Sequence, residues 1–406
     1  MYMILKIGFR NIFRQRRRTI LTMLTMIGGF VLAAVSIGWS DGTYSYIIDM
    51  FTRNQLGHIQ LHGTGYLDRP SLYTTIERYG SVGAVIDGIE GVERWAPRIY
   101  SAGLVSIGEK SAGARIIGID PERENGATRF DRKITDGRPF AAAPGGEAII
   151  GTGLAHTLGA APGDELVLVT QAADGSIAND LYSIVGLAES GDQMQDQSSV
   201  YLPLPVAQEL LVLPDEVHEI AVIINELDDV QPMVKRIRAA IDNPEIDVSP
   251  WQEFAESFYN AMKADQEGMW ISLFVIILIV AVGVLNTILM SVLERTREYG
   301  VLKALGSRPS QIFQLVSVEV TIMAAGSIGI GVLIGLLANH LLSIYGISLP
   351  NEITYGGIAF KTMYAEINVR SLVIPAVTVL VSALLVAVFP ALRAARTDPA
   401  KSMRHH

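Results

Sequence analysis

Four apolar runs constrain this chain more than any other feature: residues 19–39, 269–292, about 320–344 and 372–391. Each comes close to the roughly 20 residues that a helix needs to cross about 30 Å of hydrocarbon. The composition agrees, because 50% of the 406 residues are hydrophobic and only 18% are charged, too apolar a balance for an ordinary soluble globule. The spacing is uneven. Residues 40–268, polar and rich in turns, separate the first run from the second, whereas the other two connections are short.

Orientation follows from the positions of Lys and Arg. Lys6, Arg10, Arg14, Arg16, Arg17 and Arg18 precede the first run, Arg295, Arg297, Lys303 and Arg308 follow the second, and Arg393, Arg396, Lys401 and Arg404 follow the fourth. These three regions read as cytoplasmic. Residues 41–267 carry 16 basic against 35 acidic residues, so the large insert is placed outside and the inner face is basic. The expected fold is membrane α-helical, with four transmembrane helices and a large α+β periplasmic domain inserted between the first and second. The expected segments are a cytoplasmic amphipathic helix over 1–18, spans over 19–39, 269–292, 312–344 and 372–391, the periplasmic domain with stalk helices at both ends over 40–268, a cytoplasmic loop over 293–311, a periplasmic loop over 345–371 and a cytoplasmic tail over 392–406.

A signal peptide is the competing reading of the start. It is rejected because the apolar run is longer than the usual 7 to 15 residues of a signal core and helix-like sequence follows it. Before the run, Leu5, Phe9, Ile12 and Phe13 recur at helical spacing opposite Lys6, Arg10, Arg14 and Arg17, the pattern of a helix lying on a membrane surface with Arg14, Arg16, Arg17 and Arg18 at its edge. In the insert, strand-like runs over 57–62, 101–107, 115–119, 147–150, 165–170, 181–187, 199–202 and 219–224 alternate with helical stretches over 75–87, 153–158, 205–213 and 229–241.

Motifs for catalysis are weak. The nearest approach to a phosphate loop, Gly103 to Gly108, places Glu109 before Lys110 and fails. Gly38, Ser40 and Gly42 match the nucleophile-elbow pattern, but at the end of a span and without the strand that the motif requires. His58 and His62 share one face of a strand, with no third ligand nearby, and read as polar residues on a solvent-facing surface. The absence of Cys removes disulfides, thiol nucleophiles and thiolate metal sites. A net charge of −9 argues against a nucleic-acid partner. Ionisable residues are sparse in the spans, which argues against an ion-coupled carrier. Asn286, Gly331 and Gly335 read as helix-packing residues.

The most specific segment is ERTREYGVLKALG, residues 294–306. It has a helical pattern, with Gly306 suited to a helix end, Val301, Leu302 and Leu305 on one side, and Glu294, Arg295 and Glu298 near the start. Such a helix fits either a groove on another protein or a basic loop facing lipid.

This run closely resembles the cytoplasmic signature of the FtsX/MacB family of ABC transporter permeases, the type VII or mechanotransmission group. The start, FRNIFRQRRRTILTML, and the end, PALRAARTDPAKSMR, resemble that family's flanks, so the resemblance covers the whole chain. It implies a non-catalytic permease of the bacterial inner membrane, multi-pass, with both termini cytoplasmic. It also implies a second permease copy or paralogue, contact with membrane lipid, and a separate cytoplasmic ABC ATPase dimer that carries ATP and Mg, leaving no cofactor on this chain. Glu294, Arg295, Arg297, Glu298, Val301, Leu302, Lys303 and Leu305 are then the residues expected to couple to the ATPase. Only 18 residues precede the first span, which sets the chain apart from MacB, whose ATPase is fused ahead of it. Within the family, GHIQLHGTGY, GDELVLVT and YSIVGLAESGDQMQDQSSVYLPLPVAQELL look most like the lipoprotein-releasing permeases LolC and LolE. In LolC a proline-containing hook grips a periplasmic carrier, but the corresponding hairpin here, TQAADGSIANDLY, is short and lacks proline. The expected function is extraction or export of lipoprotein or another amphiphile. The alternatives are drug or peptide efflux with an adaptor and an outer-membrane duct, or FtsX-like control of a cell-wall hydrolase.

Overall fold

The computed structural model describes residues 2–14, 16–141, 145–355 and 358–397. The chain forms two compact units, one of Met1–Ser45, Met262–Leu349 and Thr362–His406, the other of Tyr46–Ala261 and Pro350–Lys361. Helices in chain order are α1 (Tyr2–Arg14), α2 (Arg16–Phe51), α3 (Tyr79–Asp87), α4 (Pro121–Thr128), α5 (Thr152–Leu158), α6 (Gln193–Asp196), α7 (Leu204–Leu211), α8 (Val230–Ile241), α9 (Trp251–Phe254), α10 (Glu256–Glu294), α11 (Thr296–Ala304), α12 (Pro309–Tyr345) and α13 (Arg370–Ala395). The strands of the main sheet are β1 (Ile59–Gly63), β3 (Val92–Ile107), β4 (Lys110–Ile119), β5 (Ile134–Gly137), β6 (Glu147–Gly151), β7 (Glu165–Gln171), β8 (Ile177–Ala188), β9 (Ser199–Pro203), β11 (Glu219–Ile224) and β12 (Ile246–Pro250). Two small sheets pair β2 (Ile76–Glu77) with β10 (Glu216–Val217), and β13 (Ile347–Tyr355) with β14 (Ile358–Met363).

In the first unit, α2, α10, α12 and α13 are long and apolar enough to cross a membrane. Their contacts are built from small residues. Val379, Ala383, Ala387, Ala391 and Ala394 recur every three or four residues along α13 and are buried with Ile312, Leu315, Val316, Val320 and Ala324 of α12. A Cβ on Gly331 would lie 2.7 Å from the Phe30 ring, and one on Gly335 would lie 3.3 Å from Ala34, so both glycines let α12 close on α2. The elbow-like motif has the same explanation. A Cβ on Gly38 would meet the Asn339 amide at 2.4 Å, and one on Gly42 would meet the backbone of Ala365 at 2.5 Å. Asn339 donates to the carbonyl of Ala34 at 3.1 Å, and Glu366 N–H to that of Gly38 at 2.8 Å. Asn286, expected at a helix contact, is instead exposed on α10. The N-terminal helix also differs from a purely lipid-facing one. Gly8 is buried, and a Cβ there would lie 3.2 Å from Val318, which seats α1 on the start of α12.

The second unit is α+β. Its ten-stranded mixed sheet runs β12-β1-β11-β3-β4-β9-β6-β8-β5, with β7 pairing β3 and β8. Every strand-like run read from the sequence is a strand. The sequence reading missed β12, although Ile246, Asp247, Val248 and Ser249 alternate apolar and polar, and α4, although Asp120 caps it by accepting from the N–H groups of Glu122 and Arg123 at 3.1 Å. The 165–188 hairpin is short, turning over 172–176 with Gly175 at φ 84°. At the sheet centre Arg98 donates to Glu124 of α4 at 2.6 Å and to Glu219 of β11 at 2.9 Å, all three side chains being buried. Beyond the apolar runs α2 and α10 remain helical. Phe51 and Phe258 stack with ring centroids 4.0 Å apart in this unit, and in the other unit Tyr44 donates to Asp265 at 2.5 Å.

His62 of β1 and His58, just before that strand, are not on a solvent-facing surface: both are buried, as is β1 throughout its length between β12 and β11. His62 is held by the carbonyl of His218 and by Gln60, both at 3.0 Å, and His58 accepts from Ile224 N–H at 3.1 Å. Burial, aided by Arg53, lowers the His58 pKa from 6.5 to about 4, and burial lowers that of His218 equally. Both are neutral when folded and take up a proton on unfolding as the pH falls below 6.5, so stability is complete above that pH and is lost towards pH 4. The loss reaches roughly 3 kcal/mol for each histidine. The thermal midpoint of the detergent-solubilised chain is expected to fall over this window. His58→Asn, which keeps an acceptor for Ile224, should flatten the slope, and an unchanged slope would contradict the assignment.

Candidate functional site

The segment expected to couple to an ATPase lies between α10 and α12. Helix α10 ends at Glu294, Arg295 stands at the break, and α11 follows as a separate short helix. Its end is closed by Gly306 at φ 95°, a conformation that glycine adopts without strain, with the N–H groups of Gly306 and Ser307 bonded to the carbonyls of Lys303 and Leu302 at 3.0 Å. Pro309 then opens α12, where a missing N–H costs nothing.

Arg295 fixes the start of α11. It is buried, with Nη1 donating to both oxygens of Glu319 on α12 at 2.8 and 3.0 Å and Nε to Glu298 at 3.0 Å. Its guanidinium lies 5.3 Å from the centre of the buried Tyr299 ring. Asn11 of α1 donates to Glu319 at 2.6 Å, and Arg14 pairs with Glu298 at 3.2 Å. Arg18 of α2 pairs with Glu294. A cavity of about 40 Å³ beside this cluster is lined by Arg18, Ser291, Arg295 and Glu319 among others. At the other end of α11, Lys303 Nζ donates to the carbonyls of Ala395 and Thr397 at 3.0 and 2.8 Å, which places a cation where the last carbonyls of α13 have no helical partner.

The structure therefore divides the expected coupling residues. Arg295 and Lys303 point inwards and hold α11 to α12 and α13, and Leu302 is half-buried against the bundle core. Arg297, Val301 and Leu305 are exposed, Leu305 to 80%. Glu294 and Glu298 bridge to α2 and α1. Asn11 and Glu319 belong to the site although the sequence reading did not place them there. Glu319 carried a signal, as an acid at the edge of an apolar run, but Asn11 carried none. Gly331, Gly335 and Asn286 lie elsewhere on the bundle. Among the described residues no group of three metal-ligating side chains occurs.

The chain combines four helices long and apolar enough to cross a membrane, a short helix held between the second and third, and a separate α+β unit. The chain belongs to the FtsX/MacB/LolC family of ABC transporter permeases: residues 19–240 match the MacB-like periplasmic core domain and residues 270–399 the FtsX-like permease C-terminal family. The chain is 21% identical to the lipoprotein-releasing system transmembrane protein LolC of Neisseria meningitidis, over 98% of each chain. It is 25% identical to an uncharacterized ABC transporter permease of Methanocaldococcus jannaschii, over 99% of this chain and 97% of that one. With the macrolide export ATP-binding/permease protein MacB 2 of Aeromonas hydrophila it shares 27% identity, over 79% of this chain and 51% of the relative.

Removing one partner of a buried ion pair leaves an uncompensated charge, at a cost of about 3–5 kcal/mol. Glu319→Leu is expected to lower the thermal midpoint by that mechanism, and Arg295→Met combined with Glu319→Leu should recover most of the loss. Additive losses in the double variant would show that the two side chains do not act as a pair.

Proposed function

We propose that this chain is the non-catalytic permease subunit of a bacterial inner-membrane ABC transporter. A separate cytoplasmic ATPase dimer engages α11, the movement passes through the membrane helices to the outer domain, and the work done is extraction or export of a lipoprotein or another amphiphile. The observation that carries this reading is the division of α11: one face is locked to α12 and α13, and the other presents Arg297, Val301 and Leu305. A helix held so firmly, with an exposed apolar tip, suits receiving a push from a soluble partner. The arginine-rich start and the basic residues flanking α11 support a cytoplasmic position for this end. The apolar runs over 19–39, 269–292 and 372–391 contain no ionisable residue and that over 312–344 only Glu319 and His340 towards its two ends, a sparseness that favours a mechanical transporter over an ion-coupled carrier. The continuation of α2 to Phe51 and the start of α10 at Glu256 supply helices that extend beyond the spans and could act as stalks.

The lipoprotein reading is preferred to macrolide export because the match to the lipoprotein-releasing relative runs the length of both chains, whereas half of the macrolide exporter lies outside the match. The short 165–188 hairpin favours a mode of release that does not depend on a hook of the LolC kind.

Leu305→Asp is the clean probe of docking, since the side chain is 80% exposed and packs on nothing in the bundle, whereas Leu302→Asp would also disturb the core. Leu305→Asp is expected to abolish copurification of the ATPase while the chain still inserts and folds; undiminished copurification would refute docking through α11. In lipid nanodiscs the assembled complex is expected to release a triacylated lipoprotein only with ATP. Brisk hydrolysis without release would redirect the assignment to efflux or to control of a hydrolase.

A further inference from the structure

The same end of the bundle carries an open groove of about 830 Å³ between the end of α1, the start of α2 and the end of α10. Its rim is formed by Arg14, Arg16, Arg17 and Arg18, against which Glu294 is the one acid lining the groove. Arg14 is satisfied by Glu298 and one nitrogen of Arg18 by Glu294, but Nη1 of Arg18 is buried without a hydrogen-bond partner. Arg16 and Arg17 are exposed, and neither pairs with an acid among the described residues. The groove thus holds a surplus of positive charge that the chain itself does not neutralise.

Below the rim the wall becomes apolar, with Leu21 of α2 and Met290 of α10 exposed. Asn286 interrupts this wall. It stands on the exposed stripe of α10 that runs through Val282 and Met290, and no hydrogen bond from its amide occurs among the described residues. Neighbouring Thr287 is satisfied by the carbonyl of Gly283 at 2.8 Å. An amide facing hydrocarbon without a partner is unfavourable. Asn286 lies a little over two helical turns from Glu294, or about 12 Å along the axis. Anionic headgroup ligands at the top, one polar donor a short way below and an apolar wall beneath it follow the order of groups in a phospholipid: phosphate, glycerol ester, acyl chain.

We infer that this groove is a discrete binding site for one anionic phospholipid, its phosphate on Arg16 and Arg17, and an ester carbonyl accepting from Asn286. Charge selects the lipid over a second copy of this chain, which would bring the same arginines face to face across the groove. The site is independent of α11 docking, since Arg16, Arg17 and Asn286 take no part in the joint that holds α11.

The test is native mass spectrometry of the full chain in detergent with phosphatidylglycerol or phosphatidylcholine added. The chain should retain phosphatidylglycerol in preference to phosphatidylcholine. Arg16→Gln and Arg17→Gln are each expected to weaken that retention about fivefold, whereas the matching Lys variants keep it. Asn286→Leu should weaken retention of both lipids alike and leave the preference intact, because an ester is common to both. Far-ultraviolet circular dichroism identifies any variant that fails to fold, and these exposed positions are expected to leave the fold unchanged. Equal retention of the two lipids by the unaltered chain, or a preference that survives loss of both arginines, would overturn the site. So would dissociation of a dimer by Asn286→Leu with lipid retention unchanged, which would assign the groove to a second copy.

Discussion

The ion pair between Arg295 and Glu319 is the constraint on which the membrane unit depends. Both charges are largely buried, with side-chain exposures of 8% and 12%, so each is stabilised there by keeping the other within hydrogen-bond reach. That requirement sets the distance from the end of α10 to the start of α12, and hence the angle at which α11 leaves the bundle. Asn11 adds α1 to the same carboxylate, and Lys303 ties the far end of α11 to the last carbonyls of α13. Three helices that meet nowhere in the sequence are thereby linked through a helix of nine residues.

The packing around this joint suits a part that transmits displacement without absorbing it. Alanines spaced along α13 and glycines at 331 and 335 bring backbones close, so little flexible side chain lies between neighbouring helices. On the proposed mechanism a push on Leu305 moves the bundle as a body. No chemistry is required of this chain, and its family is one of permease subunits that are generally non-catalytic.

Context removes the meaning of two short motifs. His58 and His62 have the spacing of a ligand pair, but both are buried and their ring hydrogen bonds go to Ile224, His218 and Gln60. Gly38, Ser40 and Gly42 spell a nucleophile elbow, but the two glycines are needed because Asn339 and the segment around Ala365 approach a helix closely. In both cases the residue types follow from packing.

Period and composition determined much of this protein without reference to contacts. Apolar runs of span length impose helices wherever they meet a bilayer, the two-residue alternation marks strands, and ERTREYGVLKALG with its closing glycine marks a short helix. These signals are local and survive in one dimension. The tertiary structure decided which side of that helix is free, since Arg295 and Lys303 look as exposed as Arg297 until Glu319 and the end of α13 are brought beside them. It also turned Asn286 outwards and Asn11 inwards, because the direction of a polar side chain depends on which helices surround it, and no spacing within one segment encodes that.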